Sequence, residues 1–245
     1  MRILVINPNT TAAMTAKIGA AARQAASPGT EIIAVNPGMG PVSIEGHYDE
    51  ALSVPGLLHE IRAAGHVDGV VIACFGDPGL DAAREIATGP VIGIAEAAMH
   101  AASFLATGFS VVTTLRRTCV IAEHLAERYG MARFCRKVRA SDLAVLELDE
   151  PGSNARAILL DECRRAIAED GAGAIVLGCA GMADLAAEFS AELGVPVIDG
   201  VGMAVRLVES LVALGLGTAK RGDYARPLPK PYRGLLADFE PKATL

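Results

Sequence analysis

Short apolar runs alternate with longer stretches in which apolar residues recur at helical spacing. The runs at 2–6, 31–35, 69–74, 91–94, 109–113, 137–141, 174–178 and 196–198 read as strands. The intervals 11–26, 50–65, 80–87, 95–105, 116–130, 153–169, 183–193 and 201–215 read as helices. Most of the strand runs are Val/Ile/Leu-rich, as in strands buried on both faces. Regular alternation of strand and helix predicts an α/β protein with parallel sheets and right-handed crossovers. Thr10 or Thr11 stands just before Ala12-Ala13-Met14 and can cap the first helix.

The pattern occurs twice. Gly69-Val70-Val71-Ile72-Ala73-Cys74-Phe75-Gly76 matches Gly173-Ala174-Ile175-Val176-Leu177-Gly178-Cys179-Ala180-Gly181. Asp81-Ala82-Ala83-Arg84-Glu85-Ile86 matches Asp184-Leu185-Ala186-Ala187-Glu188-Phe189, and each is followed by a Gly/Pro break and a short apolar run. Arg2-Ile3-Leu4-Val5-Ile6 is echoed by Phe109-Ser110-Val111-Val112-Thr113. Such self-similarity points to an internal duplication. It divides the chain into a half at 1–104, a half at 105–215 and a proline-bearing tail at 216–245, expected to cross the surface as coil. The segment 96–108 is Ala-rich and reads as helix, not as a flexible connector. Two closely joined halves with a small-molecule cleft between them are therefore expected.

Composition narrows the partners. The chain has 245 residues, 51% of them hydrophobic, no Trp, and a formal net charge of −6. That charge disfavours nucleic acid and anionic membrane surfaces. The basic cluster from Arg133 to Arg139 is short and interrupted, and is expected to form a solvated face. No apolar stretch reaches the roughly 18–20 residues of a membrane span, and the N-terminus runs straight into a strand without a leader pattern. Five cysteines give no disulfide framework, so the reducing cytoplasm is the expected compartment. No Cys-x-x-Cys is present and the five histidines form no ligand-spaced group, so no metal is expected.

Chemistry is sought at the matched cysteines. Cys74 and Cys179 each end an apolar run and open a Gly-containing turn before a helix, the place where open α/β sheets bind ligands. A buried cysteine is ordinarily a small packing residue, and Cys119, Cys135 and Cys163 are read that way. Packing gives no reason for the paired placement of the other two. Racemising a carbon acid needs a base on one face and a proton donor on the other, with the roles exchanged for the opposite enantiomer. Two thiols with separately tuned pKa values can do this, and positioned proton transfer supplies roughly 10²–10⁴-fold. No cofactor is needed if the substrate's own carbonyl takes up the charge.

With the motif Asn7-Pro8-Asn9-Thr10-Thr11, the segment Ser43-Ile44-Glu45-Gly46-His47-Tyr48-Asp49-Glu50, Val111-Val112-Thr113-Thr114 and the two cysteine segments, the chain resembles the hydantoin/allantoin racemases of the aspartate/glutamate racemase superfamily. The likeness extends over nearly all of residues 1–215. It implies two pseudo-symmetric α/β halves with the active site between them. It also implies Cys74 and Cys179 as the acid/base pair, cofactor independence and a homo-oligomer.

The amino-acid racemases of that superfamily follow their first cysteine with Asn-Thr, whereas here Phe75-Gly76 and Ala180-Gly181 follow the thiols. Backbone N–H groups and an apolar wall suit a neutral cyclic diamide better than a zwitterion. Asn9, Thr113 and Thr114 are expected to contact the substrate, although each has a local alternative as a cap or turn former. Ser43 and Ile44 are expected to border the pocket, with Glu45 orienting their loop. The Phe-Gly-Asp-Pro-Gly-Leu stretch after Cys74 resembles the allantoin branch of the family more than the branch acting on alkyl- and aryl-substituted hydantoins, which implies allantoin as the substrate. Open alternatives are a racemase of 5-alkyl or 5-aryl hydantoins, a decarboxylase or cis–trans isomerase with one essential thiol, and a non-catalytic small-molecule binding protein.

Overall fold

The computed structural model describes residues 1–149 and 153–241. Its eight strands are β1 (Arg2–Ile6), β2 (Glu31–Val35), β3 (Gly69–Ile72), β4 (Val91–Gly93), β5 (Phe109–Thr113), β6 (Cys135–Ala140), β7 (Ala174–Leu177) and β8 (Val197–Ile198). They form two parallel sheets of four, ordered β2-β1-β3-β4 and β6-β5-β7-β8. The same strand order in both sheets puts β3 and β7 at equivalent inner positions. The eight α-helices are α1 (Ala12–Ala25), α2 (His47–Ala63), α3 (Leu80–Ile86), α4 (Ile94–Leu105), α5 (Cys119–Arg128), α6 (Ala155–Asp170), α7 (Ala186–Leu193) and α8 (Gly200–Ala213).

Period-two alternation between two buried faces explains why the inner strands are apolar nearly throughout, whereas the edge strand β6 carries Arg136, Lys137 and Arg139. Ile3, Val5 and Val71 face one core, while Leu4, Ile6, Val70 and Ile72 face another under α2 and α3. In the second sheet, Val111 and Val176 join the first of these cores, and Val112, Ile175 and Leu177 face a third core with α6. The first core is shared: it contains residues of α1, α4, α5 and α8 together with strands of both sheets. The result is a layer of helices between two sheets, with further helices on the two outer faces.

Two helices cross to the other half. α4 follows β4 of the first sheet but packs against β7 and β8 of the second, and α8 follows β8 but packs against β3 and β4 of the first. Where they meet, a Cβ on Gly200 would stand 2.4 Å from the Ile94 carbonyl oxygen. Only glycine allows this approach. Glu209 of α8 fixes the far end, its carboxylate accepting from Ser27 N (2.8 Å), Ser27 Oγ (2.9 Å) and Thr30 Oγ1 (2.6 Å).

Several elements depart from expectation. α2 starts at His47, not 50, and continues through Pro55. The segment expected as one helix from 183 opens as a 3-10 helix over Ala180–Leu185 and becomes α7 only at Ala186. The tail contains two 3-10 turns, Gly222–Tyr224 and Gly234–Phe239. Tyr224 of this tail donates to Asp81 Oδ1 at 3.0 Å, and Thr218 N donates to the Thr88 carbonyl at 3.1 Å. Arg139 does not belong to a solvated basic face. It is 4% exposed and paired with Glu162, Glu169 and Asp170. No helix among the described residues is long and apolar enough to cross a membrane.

Gly200→Ala is expected to destabilise the fold by about 1–3 kcal/mol, because a backbone carbonyl cannot yield as a side-chain end can. Urea unfolding of the variant would measure this, and an unchanged midpoint would contradict it.

Candidate active site

Cys74 and Cys179 lie just beyond the carboxyl ends of β3 and β7, and both line one cavity between the halves. The cavity holds about 600 Å³ of empty space, its open mouth included, within the range of small-ligand sites. The two turns share a hydrogen bond at the same offset. Asp77 N donates to the Cys74 carbonyl at 3.0 Å, and Met182 N to the Cys179 carbonyl at 3.1 Å.

Beyond that bond the halves diverge. Met182 is buried in the apolar core under α6 and α7, whereas Asp77 is a buried carboxylate. Its backbone is left-handed, with φ 45°, a conformation that Asp tolerates better than most residues. The carboxylate accepts from Ala95 N (3.1 Å) and Glu96 N (2.9 Å) at the start of α4, and from Tyr129 Oη (2.7 Å), just past α5. A Cβ on Gly93 would fall 2.2 Å from the Asp77 carboxyl carbon, which accounts for the glycine there. Asp77 thus caps α4 from a distance and ties the Cys74 turn to the second half. Burial pushes its carboxyl up to about 7 despite these three donors.

Burial also pushes the Cys74 thiol far up. A hydrogen bond from the Gly76 backbone opposes this, and the nearby Cys179, Asp77 and Glu50 reinforce it. Among the described residues no group of three or more His, Cys, Asp or Glu could hold a metal ion.

Most of the residues expected from sequence meet in the cavity. Asn9, Ile44, Phe75, Gly76, Thr113, Thr114 and Ala180 line it with the two thiols, while Ser43 and Gly181 are not among its lining residues. Asn9 plays its local role as well. Its Oδ1 accepts from Thr11 N (2.9 Å) and Asn7 Nδ2 (2.8 Å), which orients the amide and directs Nδ2 to the Met14 sulfur at 3.2 Å. Thr113 spends its hydroxyl on the Gly178 carbonyl at 3.0 Å, steadying the backbone before Cys179. Glu45 reaches across the cleft and accepts from Val145 N at 3.3 Å.

Asn7, Met14, Glu50, Thr118, Ile121 and Val145 also face the cavity but were missed from sequence. Asn7 stands beside Asn9 in the same turn, and Glu50 ends a motif already singled out. Those two could have been found; nothing local marked Val145.

Over residues 3–208 the sequence matches the family described as Asp/Glu/Hydantoin racemase. The chain belongs to this family. Among its relatives, the hydantoin racemase of Rhizobium meliloti is 52% identical over 236 residues, covering 96% of this chain and 98% of that protein. The hydantoin racemase of Pseudomonas sp. (strain NS671) is 49% identical over 241 residues, covering 98% and 97%. The solved structure of an allantoin racemase from Klebsiella pneumoniae superposes with a TM-score of 0.96 at 58% identity, covering 99% of this chain and 100% of that one. The two-sheet architecture is thus that of the racemase family, down to the placement of nearly every element.

The Asp77 carboxyl titrates higher in the folded protein than in the unfolded chain, so the folded state holds the extra proton between about pH 4 and 7. The stability it contributes is full below that window and is lost as pH rises through 7. The unfolding free energy of wild type minus that of Asp77→Asn should therefore fall with rising pH across the window, by on the order of 1 kcal/mol per pH unit. Urea titrations at several pH values test this, and a difference that rises with pH would refute the assignment.

Proposed function

We propose that this member of the family racemises 5-substituted hydantoins, allantoin foremost, by proton transfer at C5 between Cys74 and Cys179. The observation that carries the reading is the opening of both thiols, from equivalent strand ends of the two sheets, onto one cavity. The halves are residues 1–104 and 105–215, followed by the tail 216–245. The protein works without a cofactor, as a homo-oligomer in the cytoplasm.

In this mechanism one sulfur, as thiolate, removes the C5 proton, and the thiol opposite delivers a proton to the other face. The reverse assignment serves the other enantiomer. Charge developing on the substrate passes to the adjacent C4 carbonyl oxygen, where polar donors of the site stabilise it. Asn9 Nδ2 is well suited to this, because a thioether sulfur is a weak acceptor that a carbonyl readily displaces. Backbone N–H groups at Phe75 and Ala180, both lining the cavity, supply further donors. Burial that keeps Cys74 protonated serves its role as acid; to act as base it must first give up that proton, and the poorly solvated thiolate that results is a strong base towards the C5 hydrogen.

The lining also contains Met14, Ile44, Phe75, Ile121 and Val145. That apolar wall favours a second reading, in which 5-alkyl or 5-aryl hydantoins are the better substrates.

A single enantiomer of allantoin incubated with the protein in D₂O tests the function, with optical rotation and C5 deuterium followed together. Rotation should decay with C5 exchange well above the uncatalysed rate. Rapid turnover of 5-benzylhydantoin with allantoin untouched would transfer the assignment to the second reading. Cys74→Ser and Cys179→Ser should each lower racemisation by on the order of 10²-fold or more, while either can retain exchange from one enantiomer. Racemisation surviving near the wild-type rate in either variant would sink the two-thiol mechanism.

A further inference from the structure

Among the described residues that line the cavity, Glu50 is the only carboxylate. It sits on the first turn of α2, and its carboxyl carbon lies 3.8 Å from where a Cβ on Gly76 would stand, beside Ile121. Gly76 is two residues past Cys74, so this carboxylate reaches the edge of the thiol turn. His47 Nδ1 lies 3.7 Å from its carboxylate, and the Glu50 side chain remains 28% exposed. That exposure places it towards the mouth of the cavity. Burial pushes its carboxyl up, against the pull of His47 and Arg128. N–H donors arriving with a ligand would favour the charged form.

The chemistry of the lining is complementary. Asn9 Nδ2 is a donor, and the backbone N–H groups of Phe75 and Ala180 and the hydroxyl of Thr114 stand at the same lining and can donate. An ionised carboxylate only accepts. A neutral cyclic ureide offers carbonyls to the former and N–H groups to the latter. A molecule with its own carboxylate would instead bring a like charge into a half-buried site, where water screens poorly.

We propose that Glu50 is a substrate-binding residue that accepts N–H groups of the bound ureide and repels its ring-opened carbamoyl acids. These acids differ from the cyclic form by one added water and carry the carboxylate that hydrolysis of the ring creates. The inference rests on the hydantoin racemase reading and names the contact that selects the closed ring.

The test compares wild type, Glu50→Gln and Glu50→Asp on allantoin and on 5-methylhydantoin, with allantoate and N-carbamoylalanine as the respective inhibitors. In Glu50→Gln, KM should rise about tenfold or more with a smaller change in kcat. Inhibition by the carbamoyl acids should tighten by about threefold or more. Glu50→Asp should recover part of both effects, which a purely structural role would not produce. A KM effect confined to allantoin puts the bond on its ureido arm, and equal effects on both substrates put it on the ring; either supports the proposal. Unchanged KM on both substrates, a loss confined to kcat, or inhibition that does not tighten would overturn it. If wild type turns over neither hydantoin, the racemase reading itself falls. If wild type is active and Glu50→Gln matches it, only the role of Glu50 falls.

Discussion

The exchange of two helices between the sheets is the constraint on which the rest of the molecule depends. Each sheet is apolar on both faces and must be covered on both. On its inner face, the cover includes a helix contributed by the opposite half: α8 lies on the first sheet and α4 on the second. The two helices meet where Gly200 allows the Ile94 carbonyl to approach. Because one buried cluster contains residues from both sheets and from these helices, the sheets are held at a fixed separation. The thiols inherit that geometry from the ends of β3 and β7.

Near-symmetry gives the site its two thiols, and departures from symmetry give them different surroundings. At the third position after Cys74 the chain has Asp77, which receives two α4 amides and the Tyr129 hydroxyl. At the third position after Cys179 it has Met182, buried among apolar side chains. The cap of α8 is instead supplied locally by Asp199, whose carboxylate accepts from Val201 N and Gly202 N. One half therefore caps its crossing helix from the thiol turn, and the other from the residue before the helix. Carboxylates accordingly bear on Cys74, where Asp77 and Glu50 both raise the thiol. Chemically identical residues at equivalent strand ends thus stand in different surroundings.

Much of this was legible along the chain, because periodicity and strand-end punctuation are local signals. All eight strands could be placed along the sequence, and the matched positions of Cys74 and Cys179 could be read from apolar runs that lead into glycine-containing turns. The start of α2 was misplaced because Gly46 supplies no capping side chain. Arg139 looked solvated because its neighbours Arg133 and Arg136 are; its acidic partners on α6 lie more than twenty positions away. The side chains that complete the cavity followed the same rule. Asn9 and Thr113 sat at strand ends and could be named, whereas Ile121 and Val145 reach the cavity only through packing between halves. Local pattern also could not show which sheet a helix covers, so the crossing of α4 and α8 was invisible.

That crossing bears on what half of this chain could be by itself. A segment ending after α4 would retain a helix whose apolar face is shaped for β7 and β8, and would lack the one that covers β3 and β4. It would expose both surfaces to water, and the nearest remedy would be a second copy offering its own last helix in exchange. The two halves of the present chain stand to each other as the protomers of such a swapped dimer would, with the peptide bond after Leu105 making the partnership permanent.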